Sequence, residues 1–173
     1  MSEYVKSKIR NIVDFPKKGI IFRDITTACK DAKALREIID YFTEKFKDKK
    51  IDYIAAIESR GFIFGSALAC NIGAGLVLIR KPGKLPAEVV SQEYQLEYGS
   101  DKIEMHKDAI EKGKRVLLID DLLATGGTIN AGCELIKKVG GIPVACAFVI
   151  ELEALNGRDK IDSGIEVISM LKY

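Results

Sequence analysis

Residues 116–128 read VLLIDDLLATGGT: an apolar run, two adjacent carboxylates, then a short polar loop before a helix-like stretch. A helix start presents unpaired N–H groups and the positive end of the helix dipole, which suits a phosphate. In the loop Ala124-Thr125-Gly126-Gly127-Thr128, the glycines let the backbone close around an anion and the threonines add hydroxyl donors. Asp120 and Asp121 would repel that anion, so they are expected to face a donor-rich group, for which ribose hydroxyls are well suited. The bland alternative is a capped helix start with surface aspartates. A second cluster, Glu58-Ser59-Arg60-Gly61, also follows an apolar run. There Arg60 offers forked donors to an anion, and Gly61 permits close backbone approach. A third, Arg80, Lys81 and Lys84, gathers positive charge around Pro82 and Gly83. The chain has no GxxxxGK[ST] and no GxGxxG, which excludes a P-loop and a dinucleotide fingerprint.

These groups need elements to hold them. Val5, Ile9 and Ile12 recur at helical spacing, predicting a short N-terminal helix, and Leu35, Ile38, Ile39, Phe42 and Phe46 predict a second. Tyr53–Ile57 reads as a buried strand, followed by a helix through Phe64, Leu68 and Ile72. Further strands are expected at residues 76–79, 116–119 and 144–150, with a helix through Ile129, Cys133 and Ile136. Strands alternating with helices indicate an α/β fold with a mainly parallel central sheet flanked by helices. In such sheets ligands sit beyond the carboxyl ends of the strands, where all three clusters fall. The 173 residues fit a single domain, 1–173.

Composition narrows the function classes. A net charge of +2 gives no strong case for nucleic-acid or acidic-membrane binding, and no apolar run is long enough to span a bilayer. The charged N-terminal stretch lacks the apolar middle of a signal peptide, so a cytoplasmic location is expected. Cys29, Cys70, Cys133 and Cys146 form no CxxC pair and are expected to be reduced. His106 is the only histidine, which argues against a zinc cluster and against Ser-His or Cys-His nucleophilic catalysis.

The string at 116–128 resembles the signature of the type I phosphoribosyltransferases. That resemblance implies a loop, Ala124 to Thr128, for the 5′-phosphate of phosphoribosyl pyrophosphate (PRPP), and Asp120 and Asp121 for the ribose hydroxyls. Residues 14–25, DFPKKGIIFRDI, resemble the DFPxxGxxFRDI stretch of the family's adenine branch. The likeness implies a base-binding segment at about residues 14–27, with Ile21, Phe22 and Arg23 at the base. Glu58-Ser59-Arg60-Gly61 resembles the family's pyrophosphate loop. Residues 80–86, RKPGKLP, and 94–99, YQLEYG, resemble the ends of a mobile hood. They imply diphosphate contacts at Arg80, Lys81 and Lys84, a flexible loop at about residues 84–102, and hood residues Glu97 and Tyr98. A weaker match at residues 151–158 implies Leu152 as the other wall of the base pocket. Residues beyond Asp159 follow no usable pattern.

What the likeness implies chemically is transfer of the phosphoribosyl group of PRPP to adenine with inversion at C1′, giving AMP and diphosphate. Mg²⁺ would be held mainly by PRPP and water, with no direct protein ligand. Arg60 and Glu97 are the expected catalytic residues, Glu97 as general acid/base. A homodimer is expected, with no nucleic-acid partner. The alternatives are a hypoxanthine/guanine or xanthine enzyme, which lacks the DFPxxGxxFRDI and LEYG segments, or a PRPP-sensing regulator on the same fold, which usually carries a DNA-binding domain.

Overall fold

Alternate residues of the apolar runs face opposite ways, and that alternation builds a sheet covered on both sides. The computed structural model describes residues 2–95 and 99–173. Its first part comprises α1 (Glu3–Lys8), β1 (Arg10–Val13), β2 (Ile21–Asp24), α2 (Thr26–Lys30) and α3 (Ala32–Phe46). Then follow β3 (Tyr53–Ile57), α4 (Gly61–Ile72), β4 (Gly75–Ile79), β5 (Val89–Gln95) and β6 (Ser100–His106). The last part holds β7 (Arg115–Leu123), α5 (Gly127–Lys138), β8 (Ile142–Glu151), two 3-10 turns and β9 (Glu166–Lys172).

Five strands form the central sheet in the order β4-β3-β7-β8-β9, every neighbouring pair parallel. On one face Ile54, Ala56, Leu117, Ile119, Ala145 and Ala147 pack with Ile38, Phe42, Phe64 and Leu68 from α3 and α4. On the other, Ile57, Val116, Leu118, Cys146 and Phe148 meet Ile129, Cys133 and Ile136 from α5. α3 begins at Asp31, whose carboxylate accepts from the Ala34 N–H at 2.9 Å, an ordinary N-cap. The expected α/β architecture is therefore present.

Three expectations change in detail. The N-terminal helix stops at Lys8. Val5 and Ile9 are buried as its periodicity predicts, but Arg10 to Val13 leave the helix to pair antiparallel with β2. Within residues 84–102, residues 84–88 form no helix or strand, but most of the remaining described residues do. β5 and β6 form a seven-pair antiparallel ribbon, from Val89↔His106 to Gln95↔Ser100. Its alternation sends Ile103 and Met105 into the core beside Val77 and Ile79, so the ribbon's base is anchored. Glu97 and Tyr98 lie outside the described residues. Finally, the segment beyond Asp159 supplies β9, the edge strand beside β8. Among the described residues no helix is long and apolar enough to cross a membrane.

Candidate active site

β7 delivers the acidic pair. Its side chains are buried from Val116 to Ile119, and Asp120 and Asp121 follow at the end that faces α4 and α5. Asp121 is buried, and its N–H donates to Asp120 Oδ1 at 2.8 Å. Burial, together with the neighbouring Asp121 carboxylate, pushes the Asp120 carboxyl well above the usual carboxylate range. Arg60 Nε donates to Asp121 Oδ2, so the two clusters foreseen at separate strand ends are joined by an ion pair. Gly61 lies against the same strand. A Cβ there would come within 2.8 Å of the Ile119 carbonyl oxygen and 3.2 Å of Asp120 Oδ1. The peptide between Glu58 and Ser59 is cis.

The loop from Ala124 leads into α5 through Gly126, which takes φ +79°. Among the described residues no side chain caps the helix. The Asn130 N–H donates back to the Gly126 carbonyl at 3.0 Å, so the first-turn N–H groups of Gly127, Thr128 and Ile129 have no partner within the helix. Thr125 and Thr128, both partly buried, flank this opening. The loop is held from behind. A Cβ on Gly126 would stand 2.2 Å from the Gly157 carbonyl oxygen, and one on Gly157 would stand 2.2 Å from the Ala124 carbonyl oxygen. Two backbones touch there, and neither position admits a side chain. Gly157 is in turn held by its neighbour Arg158, whose fork donates to both oxygens of buried Glu151 at 2.5 and 2.6 Å. That pair holds the Glu151 carboxyl below its usual range.

The cations on the other flank are already engaged. Arg80 Nε donates to Glu58 Oε2 at 2.7 Å, and its Nη1 donates to the Lys84 carbonyl at 3.2 Å. Lys81 Nζ donates to Asp101 of β6 and to the Tyr94 hydroxyl of β5 at 3.3 Å. Lys81 beside Asp101 holds that carboxyl below the usual carboxylate range. Lys84 is exposed. Tyr94 and Gln95 also lean over the start of α5, 3.4 and 3.3 Å from where a Gly127 Cβ would stand. The ribbon thus reaches from Lys81 to the mouth of the loop.

The remaining foreseen residues lie in β2 and just past β8. Ile21 is exposed, while Phe22 and Arg23 are partly buried; the Phe22 ring meets Phe15 edge to face at 5.3 Å. β2 ends at Asp24, which pairs with Arg10 and accepts from the Thr26 N–H and hydroxyl at 2.9 and 2.6 Å. Those bonds, from Thr26 and then Arg10, lower its carboxyl to about 2. Leu152 is partly buried and its N–H donates to the Leu123 carbonyl at 2.9 Å. Sequence reasoning did not single out Tyr94, Asp101, Asp24, Gly157 or Tyr173 for the site. Asp101, Gly157 and Tyr173 act through partners distant in the chain or through backbone contact, for which no local pattern exists, while Asp24 and Tyr94 lie inside the 14–25 and 94–99 stretches without a role assigned there.

The arrangement offers an uncapped helix start for a phosphate, carboxylates beside it for hydroxyls, and cations for a second anion. Comparison with known proteins identifies the family. Residues 27–169 match the phosphoribosyl transferase domain family. The chain is 55% identical to the adenine phosphoribosyltransferase of Chlorobium limicola over 172 residues, covering 98% of this chain and 97% of the relative. It superposes on the crystal structure of the adenine phosphoribosyltransferase of Thermoanaerobacter pseudethanolicus with TM-score 0.95 and 53% identity, covering 99% of each chain. The Saccharomyces cerevisiae enzyme, crystallised with an imino-altritol bisphosphate and adenine, gives TM-score 0.92 at 39% identity over 98% of this chain and 97% of that one. The chain belongs to the phosphoribosyltransferase family, among its adenine phosphoribosyltransferases.

Proposed function

We propose that this protein transfers the 5-phosphoribosyl group of PRPP to adenine, forming AMP and diphosphate in purine salvage. The observation that carries the reading is the meeting, at one strand end, of an acidic pair and an uncapped helix N-terminus, with Arg60 bonded to Asp121. In this reading the N–H groups of residues 126–128 and the hydroxyls of Thr125 and Thr128 take the 5′-phosphate. Asp120 and Asp121 take the ribose hydroxyls. Glu58, Ser59, Arg60, Gly61, Arg80, Lys81 and Lys84 surround the diphosphate. Phe22 stacks on the base against Leu152, and the backbone at Ile21 and Arg23 reads its edge.

Adenine N9 forms the new bond to C1′ while the bond from C1′ to the diphosphate oxygen breaks, its electron pair leaving with diphosphate. Holding the reactants in line and stabilising the departing charge supply most of the catalysis. Arg60 serves that second purpose. The N9 proton must leave the base, and Glu97 is the proposed acceptor. Glu97→Gln is therefore expected to lower turnover while PRPP binding stays nearly intact; full turnover would remove the assignment.

Among the described residues no group of three His, Cys, Asp or Glu side chains could cage a metal. In this reading the ion arrives with PRPP, held by its oxygens and by water. When bound, Mg²⁺ would neutralise charge on the diphosphate. A homodimer is part of this reading; Ile63, Leu76 and Leu78 expose apolar surface on α4 and on edge strand β4 that a second copy would cover. Sedimentation would test it. A cytoplasmic location fits four cysteines that are all free thiols. The deciding assay follows nucleotide formation from PRPP and Mg²⁺ with adenine, hypoxanthine, guanine or xanthine. Adenine should react fastest, and faster reaction of hypoxanthine would overturn the proposal.

A further inference from the structure

Four arginines around the site are each held by a carboxylate: Arg10 by Asp24, Arg60 by Asp121, Arg80 by Glu58 and Arg158 by Glu151. Arg23 is held differently. Its Nη1 donates to Asn11 Oδ1 at 2.5 Å, and its buried Nε finds no hydrogen-bond partner among the described protein atoms. Instead its guanidinium lies over the ring of Tyr173, 4.2 Å from the centroid, with the Lys6 ammonium also over that ring at 5.2 Å. A guanidinium on an aromatic face is attracted by the ring quadrupole, and the attraction grows when water is excluded. The ring is partly buried, and burial pushes the Tyr173 hydroxyl up.

The backbone of Tyr173 is fixed at a second place. Its N–H donates to the Glu151 carbonyl, and its own carbonyl accepts from the Glu153 N–H, both at 2.9 Å. These bonds bracket Leu152. One residue therefore touches both proposed walls of the base pocket: its ring carries Arg23, next to Phe22, and its backbone carries Leu152. We propose that Tyr173 is a positioning residue that sets the separation of these walls and so the affinity for the purine. The inference rests on the reading that residues 21–23 and Leu152 face the base. The Arg10–Asp24 pair joins the two strands of the β1–β2 hairpin to each other, while Val13 and Ile21 at its far end are exposed.

Steady-state kinetics of Tyr173→Ala and Tyr173→Phe test the idea. The alanine variant should raise the KM for adenine about two- to thirtyfold, the range expected for losing a cation–aromatic contact. The KM for PRPP should hardly move, and phenylalanine, which keeps the ring, should restore adenine use. An unchanged adenine KM overturns the proposal, as does an equal rise in both KM values. If Tyr173→Ala does not fold, Arg23→Met removes the cation instead and should show the same adenine-selective loss; a loss that falls equally on PRPP overturns the proposal. A wild-type enzyme inactive on adenine would mark failure of the functional reading itself. Hydrogen exchange separates that case: amides of residues 21–24 in the ligand-free protein should exchange faster in Tyr173→Ala, and not in Tyr173→Phe. Exchange unchanged in the alanine variant would show that no tie exists.

Discussion

At the start of α5 the groups offered to a ligand are backbone N–H groups; at the ends of β3 and β4 they are arginine and lysine side chains. The first set has no partner within the helix and is fixed by glycine contacts. The second set is already paired, Arg60 with Asp121, Arg80 with Glu58 and Lys81 with Asp101. A phosphate meeting the α5 start displaces no side-chain partner among the described residues. An anion meeting the cations must compete with three carboxylates, so binding there is an exchange of partners. In the proposed reading, such a division places rigidity at the 5′-phosphate and leaves adjustability at the departing diphosphate.

The harshest way to break this comparison is Gly126→Ala. The left-handed backbone costs about 1–2 kcal/mol for any other residue, and the added Cβ would collide with the Gly157 carbonyl. Overpacking adds about 1–3 kcal/mol. PRPP affinity, read by calorimetry, should fall by tenfold or more at about 1.4 kcal/mol per factor of ten. Intact binding would show that the loop is not rigid. Next comes Asp121→Asn, which removes the charged partner of Arg60 and the proposed ribose acceptor together. Hydrogen bonds to charged groups are worth about 1.5–3 kcal/mol, so kcat/KM for PRPP should drop while adenine binding holds; unchanged PRPP kinetics would remove its role. Phe22→Ala touches neither set. It should weaken adenine by about 1–3 kcal/mol, the range of base–aromatic stacking, and an unchanged adenine dissociation constant in a folded variant would make Phe22 a packing residue.

The smallest effect concerns acid. Asp24, lowered to about 2 from 3.8 by Thr26 and Arg10, favours the folded state when ionised. That contribution is complete above the unfolded value and is lost as pH falls from about 4 toward 2. Melting curves should therefore show Asp24→Asn with a shallower loss of Tm across that range than wild type. Parallel curves would mean the pair contributes nothing.

Much of this architecture is legible in one strand. Residues 116–128 combine a fully buried run, an acidic pair and a glycine loop, and each part depends on neighbours close in sequence. The β1–β2 hairpin was hidden because Val5, Ile9 and Ile12 keep helical spacing across a boundary that is set by Arg10 pairing with Asp24 fourteen residues away. β9 was hidden because its burial, exposed at Glu166 and Lys172 and partial at Val167 to Ser169, follows no clean alternation. The pairing of Lys81 with Asp101 and of Arg23 with Tyr173 joins residues 20 and 150 positions apart, beyond any local signal.

The contact between Gly126 and Gly157 bears on how such an enzyme can be altered. Residues 152–157 run from the proposed base wall, Leu152, to the buttress of the phosphate loop within a single short turn. Lengthening that turn to admit a larger purine would move Gly157 and take the support from behind Gly126. On the proposed reading, broadened base choice and tight phosphate binding are therefore not independent traits here, and a selection for one in a mutant library should repeatedly recover compensating changes near the other.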